Sequence, residues 1–315
     1  MRIRPLLLAT VLLVPQACGG KEDAAKGMES LRIPARKAPT IVLVDAGQEP
    51  RAMLALHPSA GSVETFTLSM GTRMSLSEGN DQMPSLPVPT TQTRLRLEVK
   101  EVNADGFVVH HAVEAVDVKA AGETPPPPEV LAKVRETVEP LTHYRSQIQL
   151  DPRGEFVSGE VQFPRDLPAP VHSAMQQMTQ SLGQLSVPLP EAAVGPGARW
   201  TVVSELSQAG TQVRQTSEYT LVSRTDDTVN IEATVAQELL DPNVAVPGMP
   251  GDARVGEFSS SGKGSFVLDL RRIAPKSLTM TVDLSMTMDV AVLGQTKHLT
   301  MDLGLDLGIA PATPQ

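Results

Sequence analysis

The clearest pattern in the chain is an alternation of apolar and polar residues near its C-terminus. Apolar side chains occupy every second position of residues 280–292, namely Met280, Val282, Leu284, Met286, Met288, Val290 and Val292. The alternation resumes after residues 294–296 at Leu299, Met301, Leu303, Leu305, Leu307 and Ile309. Because successive side chains of a strand point to opposite faces, this pattern predicts a long β-hairpin with one apolar face. A strand over residues 280–292 is about 43 Å long at ~3.3 Å per residue, so the hairpin must curve to bury that face.

Shorter alternations predict further strands in the first half of the chain. Leu95, Leu97 and Val99 alternate with charged residues, and the Asn-Ala-Asp-Gly sequence at 103–106 favours a tight turn before the next apolar run. Residues 147–150 and 156–157 flank an Asp-Pro-Arg-Gly turn in the same way. These segments predict strand-turn-strand units.

Two segments have helical spacing instead. Residues 129–141 follow four prolines and place Val130, Val134, Val138 and Leu141 on one stripe. Residues 170–185 carry Val171, Met175, Met178, Leu182 and Leu185 at spacings of 4, 3, 4 and 3. Each stripe is one-sided, so we expect both helices to pack on a sheet.

Residues 241–264 are rich in proline, glycine and serine. This composition predicts a long loop, which is either a mobile flap or a surface insertion.

Three segments occur twice in the same order. Residues 71–76 resemble 197–202, residues 97–109 resemble 219–231, and residues 148–153 resemble 266–271. The offsets drift slowly, from 126 (197 − 71) through 122 (219 − 97) to 118 (266 − 148). This repetition predicts two related halves that complete one sheet.

These patterns together predict a mainly β (α+β) fold, in which a large curved antiparallel sheet from two related halves carries two amphipathic helices. The expected domain organisation is a signal peptide at 1–18, a flexible tether at 19–38, a first β-rich half at 39–190 and a second at 191–315. The 315 residues carry 27 basic and 36 acidic side chains, a net charge of −9, which argues against a nucleic-acid partner.

The N-terminus has the pattern of an export signal. Arg2 and Arg4 precede the nine-residue, predominantly apolar stretch 6–14, which is too short to span a bilayer. The chain contains a single cysteine, Cys18, which follows Ala17 and precedes Gly19. This layout resembles the lipobox of bacterial lipoproteins, which implies acylation of Cys18 and a membrane anchor. The alternative is an ordinary secretory signal that is cut near Ala17 and leaves Cys18 as a free thiol.

The rest of the chain also resembles a group of uncharacterised bacterial lipoproteins. The residues that carry this resemblance are the Val-Pro-Leu-Pro-Glu stretch at 187–191 and the Gly195, Gly197 and Trp200 that follow it. The resemblance implies no known activity, and Gly19 after the cysteine favours the outer membrane as the location. More distantly, the architecture is similar to the LolA, LolB and LppX type of envelope lipid carrier. In those proteins a strongly curved antiparallel sheet wraps an apolar cavity that helices cap.

No catalytic residues, metal site or cofactor site is predicted, so we expect the protein not to be an enzyme. His110 and His111 are adjacent on a predicted strand and therefore point to opposite faces, one exposed and one half-buried. The carboxylates of the long hairpin, Asp283, Asp289, Asp302 and Asp306, could approach one another as a calcium site. They alternate with the apolar positions and lack a calcium-binding loop, so we favour a solvated polar face.

The methionines suggest a binding function. The chain has 13 methionines and only 3% aromatic residues. Methionine is flexible, so a methionine-lined space can adapt to different apolar ligands. We therefore expect a lipid or another apolar ligand between the sheet and helix 170–185, lined by Met175, Met178, Met280, Leu284, Met286, Met288, Met301 and Leu303. An ordinary packed core is the other interpretation of these methionines. The alternative function is a non-catalytic envelope scaffold that acts through its outer surface and the 241–264 loop.

Overall fold

The fold is a single large antiparallel β-sheet, seen in a computed structural model. The structure describes residues 27–33, 38–79, 81–82, 88–120, 126–165, 187–208, 211–244, 253–292 and 295–312. The strands are β1 (Met28–Ile33), β2 (Thr40–Asp45), β3 (Val63–Glu78), β4 (Asp81–Gln82), β5 (Thr90–Asn103), β6 (Gly106–Lys119), β7 (Arg145–Leu150), β8 (Phe156–Pro164), β9 (Arg199–Gln208), β10 (Thr211–Arg224), β11 (Thr228–Leu239), β12 (Asn243–Val244), β13 (Ala253–Asp269), β14 (Ser277–Val292) and β15 (Gln295–Pro311). Helix α1 (Pro128–Val138) and a 3-10 helix (Glu139–His143) lie between β6 and β7. The prediction of a mainly β fold with a large antiparallel sheet is confirmed.

Thirteen strands form the sheet in the order β1-β8-β7-β6-β5-β3-β15-β14-β13-β11-β10-β9-β2, and the short β4 and β12 pair with β3 and β13. Strands β3 to β8 make one meander and β9 to β14 make another. Strand β15 pairs with β14 on one side and with β3 on the other, so it joins the two meanders. Among the described strands, β1 and β2 are the two edges of the sheet, and the sheet is open.

The connection between the two edge strands shows that the sheet is strongly bent. A flat sheet of thirteen strands would hold its edges about 58 Å apart, at roughly 4.8 Å per strand. Residues 34–39 join β1 directly to β2, which limits the distance between the Cα atoms of Ile33 and Thr40 to about 25 Å. The sheet therefore has an inner and an outer face. Leu97 of β5, Trp200 of β9 and Phe266 of β13 belong to one buried cluster on the inner face.

The long C-terminal hairpin forms as its alternation predicts. Strands β14 and β15 pair in register from Leu278 opposite Ile309 to Val292 opposite Gln295. The apolar side chains share the inner face, and the aspartates and threonines lie on the outer face. The β5–β6 hairpin also turns at Asn103–Gly106, where Gly106 has a φ of 128°. A Cβ at Gly106 would lie 1.9 Å from the Leu150 carbonyl oxygen, so only glycine fits this position.

The first predicted helix is present but packs less closely than expected. Helix α1 has no buried residue, and Val130 of its apolar stripe is 43% exposed. Arg135 holds the helix beside β6 by donating a hydrogen bond to the Val118 carbonyl oxygen at 3.1 Å. Only Leu141, in the 3-10 helix, packs against a buried cluster. The second predicted helix, at 170–185, lies outside the described residues.

Two predictions of irregular structure are wrong in part. Residues 253–264 of the expected loop 241–264 belong to β13, which pairs with β11 and β14. Serine and glycine suit this strand because a Cβ at Gly262 would lie only 2.9 Å from the Thr281 carbonyl oxygen of the neighbouring strand. Part of the expected tether 19–38 is also a strand, since Met28–Ile33 forms β1. The burial of Ile33 against β8 and its neighbours explains the order of this segment.

The two meanders contain the same local hydrogen bonds. Gly61 and Gly197 both have positive φ angles. The backbone N–H of Gly61 donates to the Val99 carbonyl oxygen at 2.7 Å, and that of Gly197 donates to the Leu221 carbonyl oxygen at the same distance. Val99 and Leu221 return equivalent bonds to Ser62 and Ala198. Residues 61–62 and 197–198 therefore make the same backbone contacts, whereas the sequence comparison placed 71–76 beside 197–202.

A second pair of turns is also alike. Asp151 accepts hydrogen bonds from the backbone N–H and Nε of Arg153, and Asp269 accepts the same two from Arg271. These turns lie at the predicted offset of 118 residues. The first turn follows β7, which comes after the β5–β6 hairpin, and the second follows β13, which comes after the β10–β11 hairpin.

Candidate functional site

The inner face of the long hairpin is buried at both ends and partly exposed between them. At the lower end, Leu278 and Ile309 belong to the large buried cluster that also contains Leu97 and Trp200, which we call the lower cluster. At the other end, Val255, Met288, Val290 and Leu299 form a separate upper cluster. The inner-face side chains between the clusters are only partly buried, although most of them are apolar.

The partly exposed apolar residues form a continuous surface, which we call the apolar wall. Its members are Met74 of β3, Val282 and Leu284 of β14, and Leu303 and Leu305 of β15. Leu303 lies directly opposite both Leu284 and Met74 on its two neighbouring strands. Beside the wall, Met70 is 45% exposed, which is unusual for a large apolar side chain on an inner face.

The structure places six of the eight predicted lining residues together on this face. Leu284 and Leu303 pair within the wall, and Met286 pairs with Met301 at its upper margin. Met280 packs against the lower cluster, whereas Met288 is only 1% exposed and belongs to the upper cluster. Met288 is therefore a core residue. Met175 and Met178 lie outside the described residues.

A row of polar side chains continues the apolar wall across the inner face, and the sequence reasoning missed it. Ser260 of β13 donates a hydrogen bond to Gln237 Oε1 of β11 at 3.2 Å, and Gln237 Nε2 donates to Gln215 Oε1 of β10 at 3.0 Å. Gln215 Nε2 in turn donates to Ser217 Oγ at 3.3 Å. We call these four residues the polar row. Gln215 and Ser217 lie on the same face of β10 as the buried Val213 and Tyr219. The sequence signal for this row was therefore the presence of polar residues at positions where the strand alternation calls for apolar ones.

The lower end of the inner face is closed by the residues that carried the family resemblance. Leu189 and Val194, from the segment before β9, are buried in the lower cluster with Trp200. The indole N–H of Trp200 donates to the Pro188 carbonyl oxygen at 2.9 Å, and its ring stacks on Tyr219 at a centroid distance of 5.5 Å. Burial raises the pKa of Tyr219, and a hydrogen bond with Ser217 partly opposes this shift. These residues make a packed floor beneath the wall.

A cavity of about 110 Å³ lies within this floor. Apolar side chains of the inner face, including Leu68, Leu97 and Ile309, form most of its lining. His111 is one of the titratable groups of this lining, and its Nδ1 lies 3.3 Å from Ser146 Oγ. Burial, aided by repulsion from the neighbouring His110, lowers the pKa of His111 to about 4, so the imidazole is neutral at physiological pH.

The prediction that the two histidines point to opposite faces is confirmed. His110 is exposed on the outer face, where Nε2 contacts Gln147 Oε1 at 3.0 Å. His111 lies on the inner face.

A buried carboxylate holds the turn that covers this cavity. Glu64 is 6% exposed and accepts hydrogen bonds from the backbone N–H groups of Ile273 at 2.8 Å and Ala274 at 3.1 Å. Arg272 Nε adds a third contact at 3.3 Å. These three donors compensate the charge of the carboxylate, which explains how it is tolerated in an apolar environment.

The hairpin carboxylates lie on the outer face. Asp306 binds Arg73 at 2.6 Å, and Asp302 accepts hydrogen bonds from Ser285 and Ser75. Asp283 is 69% exposed and also contacts Arg73. Across the described part of the chain, no three His, Cys, Asp or Glu side chains are arranged as a metal site. The outer face also carries an open polar groove of about 600 Å³ lined by residues that include Glu218, Glu232 and Lys263.

Comparisons with known proteins give no assignment. The chain matches no protein-family model, and a search of curated proteins returns no significant match. None of the helices in the described segments is both long enough and apolar enough to cross a membrane.

Proposed function

We propose that this protein is a non-catalytic, lipid-anchored component of the cell envelope that binds a lipid or another apolar ligand against the inner face of its sheet. The observation that carries the proposal is the apolar wall. Val282, Leu284, Leu303 and their neighbours are apolar and face inward, yet they are less buried than residues of either adjacent cluster. A bound apolar ligand would bury them and recover the free energy that their exposure costs, roughly 25 cal/mol per Å².

The composition of the wall supports an adaptable site. Met74 lies within the wall, and Met70, Met286 and Met301 lie on its margins. Methionine side chains repack easily around ligands of different shape. The floor is the opposite, because its aromatic residues stack and hydrogen-bond in one arrangement.

We infer that the two meanders are related repeats of one unit. The shared glycine turns and the shared Asp-x-Arg turns support this inference. In this arrangement β15 fills one junction between repeats, whereas β1 and β2 occupy the other and leave it open.

The anchor in the proposal is an acylated Cys18. The support for it is the sequence alone: a basic start, a nine-residue stretch that is predominantly apolar, and a solitary cysteine after Ala17. Mass spectrometry of the N-terminal peptide from membrane fractions tests it. Acyl groups on Cys18 are expected, and Cys18→Ser should release the protein from the membrane, whereas an unmodified N-terminus would contradict anchoring. The Gly19 position favours the outer membrane.

Binding of 1,6-diphenylhexatriene, a hydrocarbon whose fluorescence rises in apolar surroundings, tests the ligand site. The full chain is expected to bind the probe, and Leu284→Asp is expected to abolish binding because a charge would enter the wall. Thr279→Asp places the same charge on the exposed outer face of the same strand and should leave binding unchanged.

A second variant separates loss of a cavity from loss of folding. Leu284→Trp adds volume, so it should block the probe while the protein stays folded by circular dichroism. Full binding by both Leu284 variants would contradict the proposal.

One observation favours the alternative function, an envelope scaffold. Edge strand β2 exposes Val42 and Val44 by 52% and 59%, and an apolar free edge can pair with another chain. Residues 253–264 of the predicted 241–264 loop do not support this alternative, because they belong to strand β13. Val42→Lys with Val44→Lys tests it: a partner recovered by pulldown should be lost, while probe binding is unchanged.

A further inference from the structure

The inner face is not uniformly apolar, and its polar side chains form one hydrogen-bonded chain. The polar row runs from Ser260 through Gln237 and Gln215 to Ser217 by three hydrogen bonds of 3.0 to 3.3 Å. Ser217 is 2% exposed, and the other three are partly buried. Buried polar side chains rarely lack hydrogen-bonding partners, and the residues of the polar row supply these partners to one another.

Three residues of the polar row and three of the apolar wall lie on one rung of the sheet, that is, a set of residues opposite one another on adjacent strands; Ser217, Val282 and Leu305 lie on the next rung. Strand pairing sets Ser204 opposite Gln215, Gln215 opposite Gln237, Ser260 opposite Leu284, Leu284 opposite Leu303, and Leu303 opposite Met74. The hydrogen bond between Gln237 and Ser260 completes the line. Four polar residues are thus followed by three apolar ones, and none of the seven is charged.

The neighbouring rungs also carry no charge. The rung below contains one residue from each of seven adjacent strands, which are, in strand order, Val202, Ser217, Val235, Gly262, Val282, Leu305 and Thr72. Above the first rung, Phe258, Met286, Met301 and Leu76 continue the apolar side. A ligand lying across this surface would therefore meet hydrocarbon on one side and neutral amide and hydroxyl groups on the other.

The polar row retains capacity for a ligand. Each glutamine amide nitrogen carries two hydrogens and each amide oxygen has two lone pairs. The bonds within the row use one hydrogen of Gln215, one hydrogen of Gln237 and one lone pair of each oxygen. The row can therefore both donate to and accept from an uncharged polar group.

We propose that the ligand is an uncharged amphiphile, whose hydrocarbon part lies on Met74, Leu303 and Leu284 and whose amide, hydroxyl or ester group hydrogen-bonds to Gln215 and Gln237. This inference rests on the proposed function and specifies its ligand class. A carboxylate or an ammonium group is disfavoured, because no charged partner on these rungs would offset its desolvation.

Displacement of diphenylhexatriene by three twelve-carbon competitors tests the inference on the full chain. The competitors are dodecanamide, monododecanoylglycerol and dodecanoate, all at pH 8. We expect both neutral competitors to displace the probe at concentrations about tenfold or more below that of dodecanoate. Equal or tighter binding of dodecanoate would overturn the proposal without any variant.

A paired substitution then assigns the preference to the polar row. Gln215→Leu with Gln237→Leu should weaken dodecanamide binding about tenfold relative to diphenylhexatriene binding, since only dodecanamide loses hydrogen bonds. The matched control is Thr216→Leu with Ala236→Leu, which lie opposite each other on the outer face of the same strands. The control should behave as wild type.

The outcomes distinguish this inference from the proposed function. If the wild-type protein does not bind diphenylhexatriene, the proposed function fails and the inference with it. If it binds the probe but the glutamine substitutions leave dodecanamide affinity unchanged, only the inference fails. Should the double variant not fold, Gln237→Met alone is measured, with a smaller loss of about threefold expected and no loss contradicting the inference.

Discussion

Leu284 and Met288 provide a direct comparison between a ligand-facing and a core position. They lie four residues apart on β14, so both face inward on the same strand. Met288 is 1% exposed within the upper cluster, whereas Leu284 is partly exposed within the apolar wall. We predict that Met288→Ala destabilises the ligand-free protein much more than Leu284→Ala.

The expected magnitudes follow from burial. A fully buried methionine or leucine that is truncated to alanine loses its transfer free energy and leaves a cavity, at a cost of about 2–5 kcal/mol. Met288→Ala should therefore lower the free energy of unfolding by about 3 kcal/mol. Leu284 already borders open space, so its truncation creates no new cavity and should cost about 1 kcal/mol.

Urea denaturation of delipidated protein, followed by circular dichroism, measures both values. Delipidation matters because a bound ligand adds to the free energy of unfolding. The same variants are titrated with diphenylhexatriene, and Leu284→Ala should weaken binding although it barely affects stability. Equal destabilisation of about 3 kcal/mol by the two substitutions would show that the wall is packed core and not a ligand-binding surface.

Three further predictions concern the floor and the sheet. Burial lowers the pKa of His111 from 6.5 to about 4, so on acidification the unfolded chain is protonated at this histidine before the folded protein is. The free energy of unfolding should therefore fall by about 3 kcal/mol between pH 6.5 and pH 4. Denaturation measured across this pH range should show a smaller fall in the free energy of unfolding for His111→Phe. Glu64→Gln should cost about 2 kcal/mol in thermal denaturation, because an amide NH2 can face the N–H groups of Ile273 and Ala274; a neutral effect would contradict their role. Gly262→Val should destabilise by about 2 kcal/mol, measured in urea, because its Cβ meets β14; unchanged stability would argue against this pairing.

The sequence predicted those strands whose own alternation is regular. The hairpin of β14 and β15 and the hairpin of β5 and β6 are examples, because each needs only period-two patterning and a nearby turn. Strand β13 was missed because serine and glycine have low strand propensity and here fit by close approach to Thr281. Strand β1 was missed because its order depends on pairing with β8, more than a hundred residues away.

The candidate site was predicted only on its apolar side. Leu284, Leu303 and Met301 could be placed on one face from their spacing alone. The assignment of Met288 to the core required knowledge of Val255 and Leu299, which reach it from other strands. The polar row depends on the register of three paired strands, β10, β11 and β13, although Gln215 and Ser217 at inward-facing positions were a visible hint.

The most direct test of the central claim is mass spectrometry of what the protein carries. The full chain with Cys18→Ser, which lacks an acylation site, is purified without detergent and extracted with organic solvent. We predict one uncharged, amide-, hydroxyl- or ester-containing amphiphile per protein, and its loss from the Leu284→Trp variant. An empty extract from folded, monodisperse protein that also fails to bind diphenylhexatriene would contradict the claim that the inner face holds a ligand.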